Sequence, residues 1–371
     1  MMEHSQLDVA KLSPAAQRAL GPGPGRMMAS RGLVPLPPAE QVAVLYQLAL
    51  DADGTISTAA MVTSGGLPEK VLAAALGDAN VDPRVLDFYA QRVAGKPAAF
   101  EALVGNATTA DETVATLAEL AGAREIERIA ANEQRLLRHP QIIAAMYTNK
   151  QARMSTVDRA VELAVRNKVR VPGLATWDEI ARALDGAPRA TPESDAAFAA
   201  AAELAGDDSV LTQGDAEQVI EDAKAAELAE QAEARPVPIE KLSVPAKIRL
   251  ALLGNGFHRA KLVRDPLKMV ALATIKSPAV TEFEAAHYAG NAALSDEVIR
   301  FIAGKREWTK LYGTKVSLCR NPKTPVSDAM RLMPFLRDKD LVNMTKSKGI
   351  PSAVVAQARK LLLQRRGGAK K

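Results

Sequence analysis

The stretch NPKTPVSDA, residues 321–329, joins the end of one apolar helical segment to the start of the next. Its first residue can bond the open carbonyl groups of a finished helix, and Pro325, four residues later, can open a new helix. The same pattern starts at Ser64, Asp78, Ser277, Asn291 and Ser347, and with one extra residue at Asn106. Successive starts differ by 14, 28, 30 or 26 residues in the clearest cases. These spacings are near multiples of one helix and one turn, so the pattern predicts short helices stacked on their neighbours.

The composition supports helices rather than sheets. Apolar residues make up 47% of the 371 residues, but aromatic residues make up only 4%, and Ala and Leu dominate the apolar set. Such a composition favours helices with small-residue packing, and no stretch shows sustained strand alternation. The expected fold class is therefore all-α, with two short helical-repeat (α-solenoid) arrays joined by an acidic linker.

Shifts in composition divide the chain into five parts. Pro and Gly are dense near the N-terminus, and a stretch rich in acid, Ala and Pro lies between the two sets of repeat motifs. The predicted parts are a disordered Pro/Gly-rich tail at 1–38, an N-terminal array at 39–185, an acidic Ala/Glu-rich linker at 186–238, a basic C-terminal array at 239–364 and a basic tail at 365–371.

Charge is distributed unevenly along the chain. Residues 1–172 carry 18 basic and 18 acidic side chains, residues 173–238 carry 4 and 15, and residues 239–371 carry 26 and 10. The basic last third can attract the acidic middle segment or an external anion. Both alternatives stay open at this level.

The repeat pattern resembles the HEAT-like and leucine-rich-repeat-variant class of α-solenoids, and the layout is similar to that of uncharacterised bacterial proteins with two helical arrays. The resemblance covers most of 39–172 and 239–364. It implies a solenoid fold and no activity. Members of the variant class can carry an N-terminal Cys cluster for iron and sulfur, which this chain lacks. The stretches that carry the resemblance are NEQRLLRHPQIIAAMYTNKQARMSTVDRAVELAVRN (132–167), KIRLALLGN (247–255), REWTKLYGTKVSLCRNPKTP (306–325) and IPSAVVAQARKLL (350–362).

Motifs for catalysis, metals and cofactors are incomplete. The calcium-loop-like DADG at 51–54 has Ala60 where the closing carboxylate is required. Glu284 and His287 are three residues apart, as in a di-iron Glu-x-x-His pair, but a second pair is missing. Cys319 is the only cysteine and lies at helical spacing with Val316, which favours a buried thiol over a nucleophile. We therefore expect no cofactor, no metal and no enzymatic activity.

Two sets of residues are candidates for partner binding. In the first array, arginines at turns either bond helix C-terminal carbonyls or line a groove for a protein partner. In the last third, a line of cations across successive repeats predicts a basic surface that can contact phosphates. The first set is Arg135, Arg138, Asn149, Arg153 and Arg159. The second set is Lys305, Arg306, Trp308, Lys310, Lys315, Arg320, Lys323, Arg331, Lys346 and Lys348.

Two functional hypotheses follow. The first is a non-enzymatic scaffold or adaptor that binds protein segments on its helical-repeat surfaces. The alternative is a nucleic-acid-binding protein that uses residues 239–371, although aromatic residues for stacking bases are scarce there, with Trp308 and Tyr312 the only local pair. The single cysteine and the lack of a signal sequence or a membrane-length apolar run indicate a cytoplasmic protein without a membrane span. The oligomeric state is left open.

Overall fold

The computed structural model describes residues 4–185, 190–204, 238–347 and 349–368. This part of the chain holds 23 α-helices and four short 3-10 helices, and it contains no β-strand. The predicted all-α class is confirmed. The chain divides into two compact units, unit 1 from Met1 to Leu174 and unit 2 from Ala175 to Lys371.

Unit 1 contains the first twelve helices. They are α1 (Pro14–Leu20), α2 (Pro24–Ser30), α3 (Pro38–Ala49), α4 (Gly54–Gly66), α5 (Glu69–Leu76), α6 (Pro83–Ala90), α7 (Pro97–Gly105), α8 (Asp111–Leu120), α9 (Ala123–Ala130), α10 (Glu133–Arg138), α11 (Gln141–Thr148) and α12 (Met154–Arg166). Helix α5 packs between α3 and α7, and α7 packs on α9, while α8 packs on α6 and α11. Helices two or three places apart in the chain thus lie side by side in successive layers.

Unit 2 contains the remaining eleven described helices. They are α13 (Trp177–Leu184), α14 (Pro192–Ala202), α15 (Val244–Leu253), α16 (Gly256–Leu262), α17 (Lys268–Ile275), α18 (Glu282–Gly290), α19 (Asp296–Gly304), α20 (Tyr312–Arg320), α21 (Val326–Leu332), α22 (Asp338–Lys346) and α23 (Ser352–Gly368). Here α17 packs between α15 and α19, α18 packs on α20, and α23 packs on α21 and α22. A continuous apolar core runs through these layers from Val263 to Leu362.

The repeat motif begins helices in the way that the sequence predicts. Four residues after the first polar residue, Asp82, Thr281 and Ser295 each accept a backbone N–H bond from the first turn of the next helix. Pro68 and Pro325 occupy the N-cap position itself, one residue before the predicted first helical position. Each short helix buries one face against the neighbouring layers, and the arrangement is compatible with a helical-repeat fold.

The N-terminal segment differs from the predicted disordered tail of residues 1–38. Residues 4–38 contain α1 and α2, and they are fixed to α3 and α6 by specific contacts. Tyr46 donates its hydroxyl proton to the Ser5 carbonyl at 2.7 Å, and Gln47 Oε1 accepts the Leu7 N–H bond at 2.7 Å. Pro and Gly here open and separate short helices, because Pro14 and Pro24 lie in their first turns. Residues 1–3 lie outside the described residues.

The observed boundaries between the arrays also differ from the predicted ones. Helix α13, expected at the end of the first array (39–185), belongs to unit 2 and packs on α15 and α17. Within the predicted linker (186–238), residues 190–204 form α14, which buries Phe198 and packs on α15. Residues 186–189 and 205–237 lie outside the described residues. In the predicted tail (365–371), residues up to Gly368 continue α23, and 369–371 lie outside the described residues.

Candidate functional surface

Two of the five partner-binding candidates in unit 1 have structural roles. Arg135 is 4% exposed and donates to the carbonyls of Val104 and Asn106 at 2.7 and 3.0 Å. Asn149 is 6% exposed, and its Nδ2 group donates to the carbonyls of Ala118 and Ala121, both at 2.9 Å. These side chains are therefore not available to a partner, and their assignment to a binding groove is wrong.

The other three candidates remain at the surface. Arg138 makes a two-point ion pair with Asp111, with distances of 2.7 and 2.6 Å, and this pair lowers the pKa of the Asp111 carboxyl. Arg153 pairs with Glu127 at 2.6 Å, and Arg159 is exposed on α12. The structure does not bring the five residues together in one groove, because two of them face the interior.

Three buried asparagines, Asn106, Asn149 and Asn321, each clamp one repeat to the one before it. Asn106 donates to the carbonyls of Leu76 and Asp78 at 2.7 and 2.9 Å, and Asn321 donates to those of Ala289 and Asn291 at 2.8 and 3.1 Å. With Asn149, each of these side chains bridges 28 to 32 residues of sequence. The motif was expected to bond its own preceding helix, but its amide group instead satisfies carbonyls at the C-terminus of the adjacent one.

Basic side chains form a second class of clamp between repeats. Lys323 donates to the carbonyl of Leu294 at 2.6 Å, and Arg331 donates to that of Ala303 at 2.9 Å. Arg365 donates to the carbonyls of Leu336 and Pro334 at 2.8 and 2.6 Å. The Ala303 carbonyl lies in the last turn of α19, where carbonyl groups concentrate partial negative charge and a cation is stabilising. Part of the predicted basic surface therefore serves the fold.

The aromatic candidate in the basic surface is not accessible. Trp308 is 3% exposed in the core of unit 2, and the Lys305 Nζ atom lies 4.1 Å from the centroid of its ring. Trp308 therefore cannot stack on a nucleic-acid base, and its assignment to the basic surface is wrong.

The remaining candidates are placed as follows. Arg306, Lys310, Arg320 and Lys346 are exposed, on the turn after α19, on the 3-10 helix Trp308–Lys310, and at the last residues of α20 and α22. Lys315 is half-buried, and Lys348 lies outside the described residues.

Phe335, the most exposed aromatic ring of unit 2, is not among the candidates predicted from the sequence. Phe335 is 65% exposed, although its neighbours Met333 and Leu336 are buried. These three residues span the 3-10 helix Met333–Phe335 and its cap, so two apolar anchors enter the core while the ring between them faces solvent. The signal in the sequence was the turn MPFL at 333–336, in which proline interrupts the helical period and changes which side chain faces outward.

Lys315 lies beside the Phe335 ring, and Arg337 lies over the ring of Tyr312. The Lys315 Nζ atom lies 5.6 Å from the centroid of the Phe335 ring and donates to the Lys310 carbonyl at 3.1 Å. The Arg337 guanidinium lies 4.7 Å from the centroid of the Tyr312 ring, and the Arg337 N–H donates to the Tyr312 hydroxyl at 2.8 Å. We call the region formed by Lys310, Tyr312, Lys315, Phe335 and Arg337 the Phe335 surface.

Hydrogen bonds from Arg365 and Tyr312 hold the Phe335 surface in place. The two Arg365 bonds to carbonyls on either side of Phe335 fix the turn that presents the ring. Tyr312 donates to Asp340 Oδ2 at 2.5 Å. Burial and, secondarily, this bond to a carboxylate raise the pKa of Tyr312, so its hydroxyl remains a proton donor. An exposed aromatic ring on a fixed turn, with a lysine beside it, is suited to bind a ligand that combines a flat or apolar group with negative charge.

In the described part of unit 2, Glu284 and Asp296 lie in different surroundings. Glu284 is fully buried and accepts from Arg259 at 2.8 Å, while Asp296 is exposed at the start of α19. Burial, followed by the charge of Glu284, raises the pKa of the nearby Tyr288 hydroxyl. Within the described part of the chain, no three His, Cys, Asp or Glu side chains lie together as metal ligands would.

Comparison with known proteins gives no relative. No protein-family model matches the chain, and neither a curated protein nor a solved structure matches it. None of the helices described here has the length and apolar character needed to span a membrane.

Proposed function

We propose that this protein is a non-enzymatic scaffold or adaptor of the HEAT-like helical-repeat class, which binds segments of partner proteins through the Phe335 surface. The exposure of the Phe335 ring beside Lys315 carries this proposal. Exposing a large apolar ring forgoes the free energy of burial, about 2 kcal/mol for a side chain of this size. Aromatic side chains and Arg are also enriched where protein interfaces gain most of their affinity.

The surface favours an acidic partner segment with an apolar anchor. Between Lys305 and Lys346 there are ten basic and four acidic side chains. Lys315 lies beside the ring and would attract carboxylates, while the ring itself would contact an apolar side chain. The scaffold role follows from the repeat layers, since such folds present extended surfaces rather than closed pockets.

The test is binding of the full chain to an array of short peptides in which acidic and basic residues are varied around one apolar residue. We expect binding to acidic members with an apolar anchor, and at least a tenfold loss of affinity in Phe335→Ala. Leu363→Ala is the matched control, because Leu363 is a similarly exposed apolar residue of unit 2, at 71%. Equal affinities of wild type and Phe335→Ala would contradict the proposal.

A second candidate function is binding of single-stranded nucleic acid. It is supported by the same geometry, because base–aromatic stacking beside a cation is a common mode of single-strand binding. Fluorescence anisotropy with labelled single-stranded and duplex oligonucleotides at several salt concentrations separates the two candidates. Nucleic-acid binding predicts that the logarithm of the affinity falls steeply with the logarithm of the salt concentration, whereas an apolar peptide anchor retains most of its affinity.

A further inference from the structure

Residues 4–7 form a non-helical segment that lies against α3 and α6, two helices that pack on each other. Side chains of these helices bond the backbone of the segment. The Tyr46 hydroxyl donates to the Ser5 carbonyl, and Gln47 Oε1 accepts the Leu7 N–H bond, both at 2.7 Å. Contacts to backbone groups hold a peptide segment without regard to its side chains, which is how many peptide-binding domains gain affinity.

Arg84 on α6 adds a donor whose position is set by the helix itself. Its Nε and Nη2 atoms donate to the two carboxylate oxygens of Asp82 at 2.9 and 2.8 Å. A two-point pair of this kind fixes the plane of the guanidinium group. The remaining Nη1 atom donates to the Gln6 carbonyl at 3.0 Å and to Ser5 Oγ at 2.9 Å. The Asp82 pair does not involve the segment, so this donor stays in place when the segment leaves.

Two side chains of the segment make the selective contacts. Leu7 is 8% exposed, and the His4 Nε2 atom lies 3.0 Å from Oδ2 of Asp87, which is 2% exposed. The centroid of the His4 ring lies 5.9 Å from the ring centroids of both Tyr46 and Phe88. A buried carboxylate beside two aromatic rings favours a basic side chain, because the carboxylate needs a donor and the rings attract cations.

The rest of this segment is weakly attached. Leu7 is the only buried side chain in residues 4–11. A hollow of about 640 Å³ is lined by five residues of 7–13 together with α3 and the loop before α6. The chain is fixed again at Ser13, which donates to Glu40 Oε2 at 2.6 Å. Few buried apolar contacts are typical of segments that open locally while the remaining structure stays folded.

From these contacts we propose that the groove between α3 and α6 is a peptide-binding site, and that residues 4–7 occupy it as an autoinhibitory strap. The incoming partner segment is non-helical and carries His, Lys or Arg followed three positions later by Leu, as the strap itself does. It accepts the same backbone bonds, and its basic side chain meets Asp87. The strap must open first, so the affinity of the wild-type chain is reduced by the small open fraction.

The first test is binding of a labelled synthetic peptide of residues 1–12 to the full chain, followed by fluorescence anisotropy. Leu7→Asp in the chain should release the strap and raise the affinity for the peptide at least tenfold over wild type. Val9→Asp is the matched control, since Val9 lies in the same segment at 36% exposed, and it should bind as wild type does. A peptide that itself carries Leu7→Asp should not bind.

Three outcomes of this experiment overturn the proposal. They are equal affinity of the Leu7→Asp and wild-type chains, equal binding of the two peptides to the Leu7→Asp chain, and loss of helical circular dichroism in the Leu7→Asp chain. The last would show that the segment is needed for folding, which an exchangeable strap is not.

Native-state hydrogen exchange tests the opening in the unmodified chain. The Leu7 N–H group, which bonds Gln47, should exchange at least tenfold faster than that of Leu45 in the middle of α3, because the strap opens without unfolding of the helix. Saturating unlabelled peptide should leave the Leu45 rate unchanged. Exchange of the two groups at one rate, with the same dependence on urea, would show that the segment opens only on unfolding and would overturn the proposal.

Discussion

At the scale of single residues, the buried asparagines have the largest structural consequence. Asn321 is 4% exposed and supplies both amide hydrogens to carbonyls of the preceding repeat, while its Oδ1 accepts the Lys323 N–H bond at 2.9 Å. A water molecule could replace these hydrogen bonds only by entering the space between the packed repeats. The polar residue that the sequence pattern identifies is thus a link between repeats.

We predict that Asn321→Ala lowers the free energy of unfolding of unit 2 by about 2–6 kcal/mol, because it leaves two buried carbonyls unsatisfied at about 1–3 kcal/mol each. Urea titration followed by tryptophan fluorescence measures this change. Asn343→Ala is the control, since Asn343 is exposed on α22, and it should change the free energy by less than about 0.5 kcal/mol. Equal effects of the two substitutions would contradict the role of the clamp.

The thiol of Cys319 gives a second prediction at this scale. Burial raises its pKa to about 12, and its Sγ atom lies 3.5 Å from the Ala329 carbonyl. The thiol is therefore protonated at neutral pH and shielded from reagents. We expect an aromatic disulfide reagent to label native protein only as fast as unit 2 opens, and to label urea-unfolded protein at once. Immediate labelling of the native chain would show that the thiol is accessible.

At the scale of elements, α14 shows how a segment of linker-like composition becomes part of a core. Its ten or so residues are mostly Ala with acid, but Phe198 lies under the Arg249 guanidinium, 5.1 Å from it. The Ala201 carbonyl in its last turn is 2.9 Å from His258 Nε2. Because His258 Nδ1 accepts the Asn255 N–H bond at 3.1 Å, the neutral ring must carry its proton on Nε2 and donate it to Ala201.

This contact predicts that unit 2 loses stability at mildly acidic pH. Burial, and then the Arg259 charge, lower the pKa of His258 below the ordinary value of about 6.5. The unfolded chain therefore binds a proton more readily than the folded one. The contribution of the neutral His258 ring to the free energy of unfolding is complete above about pH 6.5, and it decreases as the pH falls below that value.

The measurement is the urea concentration at the midpoint of unfolding, followed by tryptophan fluorescence at about pH 7.5 and about pH 5.5. The wild-type midpoint should fall between these values by more than that of His258→Gln, which cannot titrate. His139→Gln, in unit 1, should behave as the wild type does. An identical pH dependence in wild type and His258→Gln would exclude a role for this ring.

The limits of sequence reasoning also lie at the element scale. Periodicity and capping residues identify where most helices begin, because these signals act over a few residues. They do not reveal that Leu7, Ser5 and Phe198 contact helices far along the chain. Composition alone therefore predicts a disordered tail and a linker in these two segments. For the same reason the sequence does not decide whether Arg135 bonds carbonyls or lines a groove. Its charge is visible in the sequence, but the carbonyls that it bonds 26 to 31 residues earlier are not.

At the scale of the whole molecule, the two units should unfold separately, since each is compact. Both tryptophans, Trp177 and Trp308, are buried in unit 2, so tryptophan fluorescence reports on that unit, whereas circular dichroism reports on both. We predict that Asn149→Ala shifts part of the circular dichroism transition and leaves the fluorescence midpoint unchanged. Asn321→Ala should shift both signals, and a fluorescence shift in Asn149→Ala as large as in Asn321→Ala would show one cooperative unit.

The asparagine clamps have a consequence for how the chain folds during synthesis. Each clamp joins residues only 28 to 32 positions apart, so it can close shortly after its second residue leaves the ribosome. The N-terminal segment reaches its folded position later, because its His4 side chain is 3.0 Å from Asp87, which lies 83 residues further along the chain. Residues near His4 therefore reach their final position only after α6 has been made, while each later repeat can join the preceding one as it is translated.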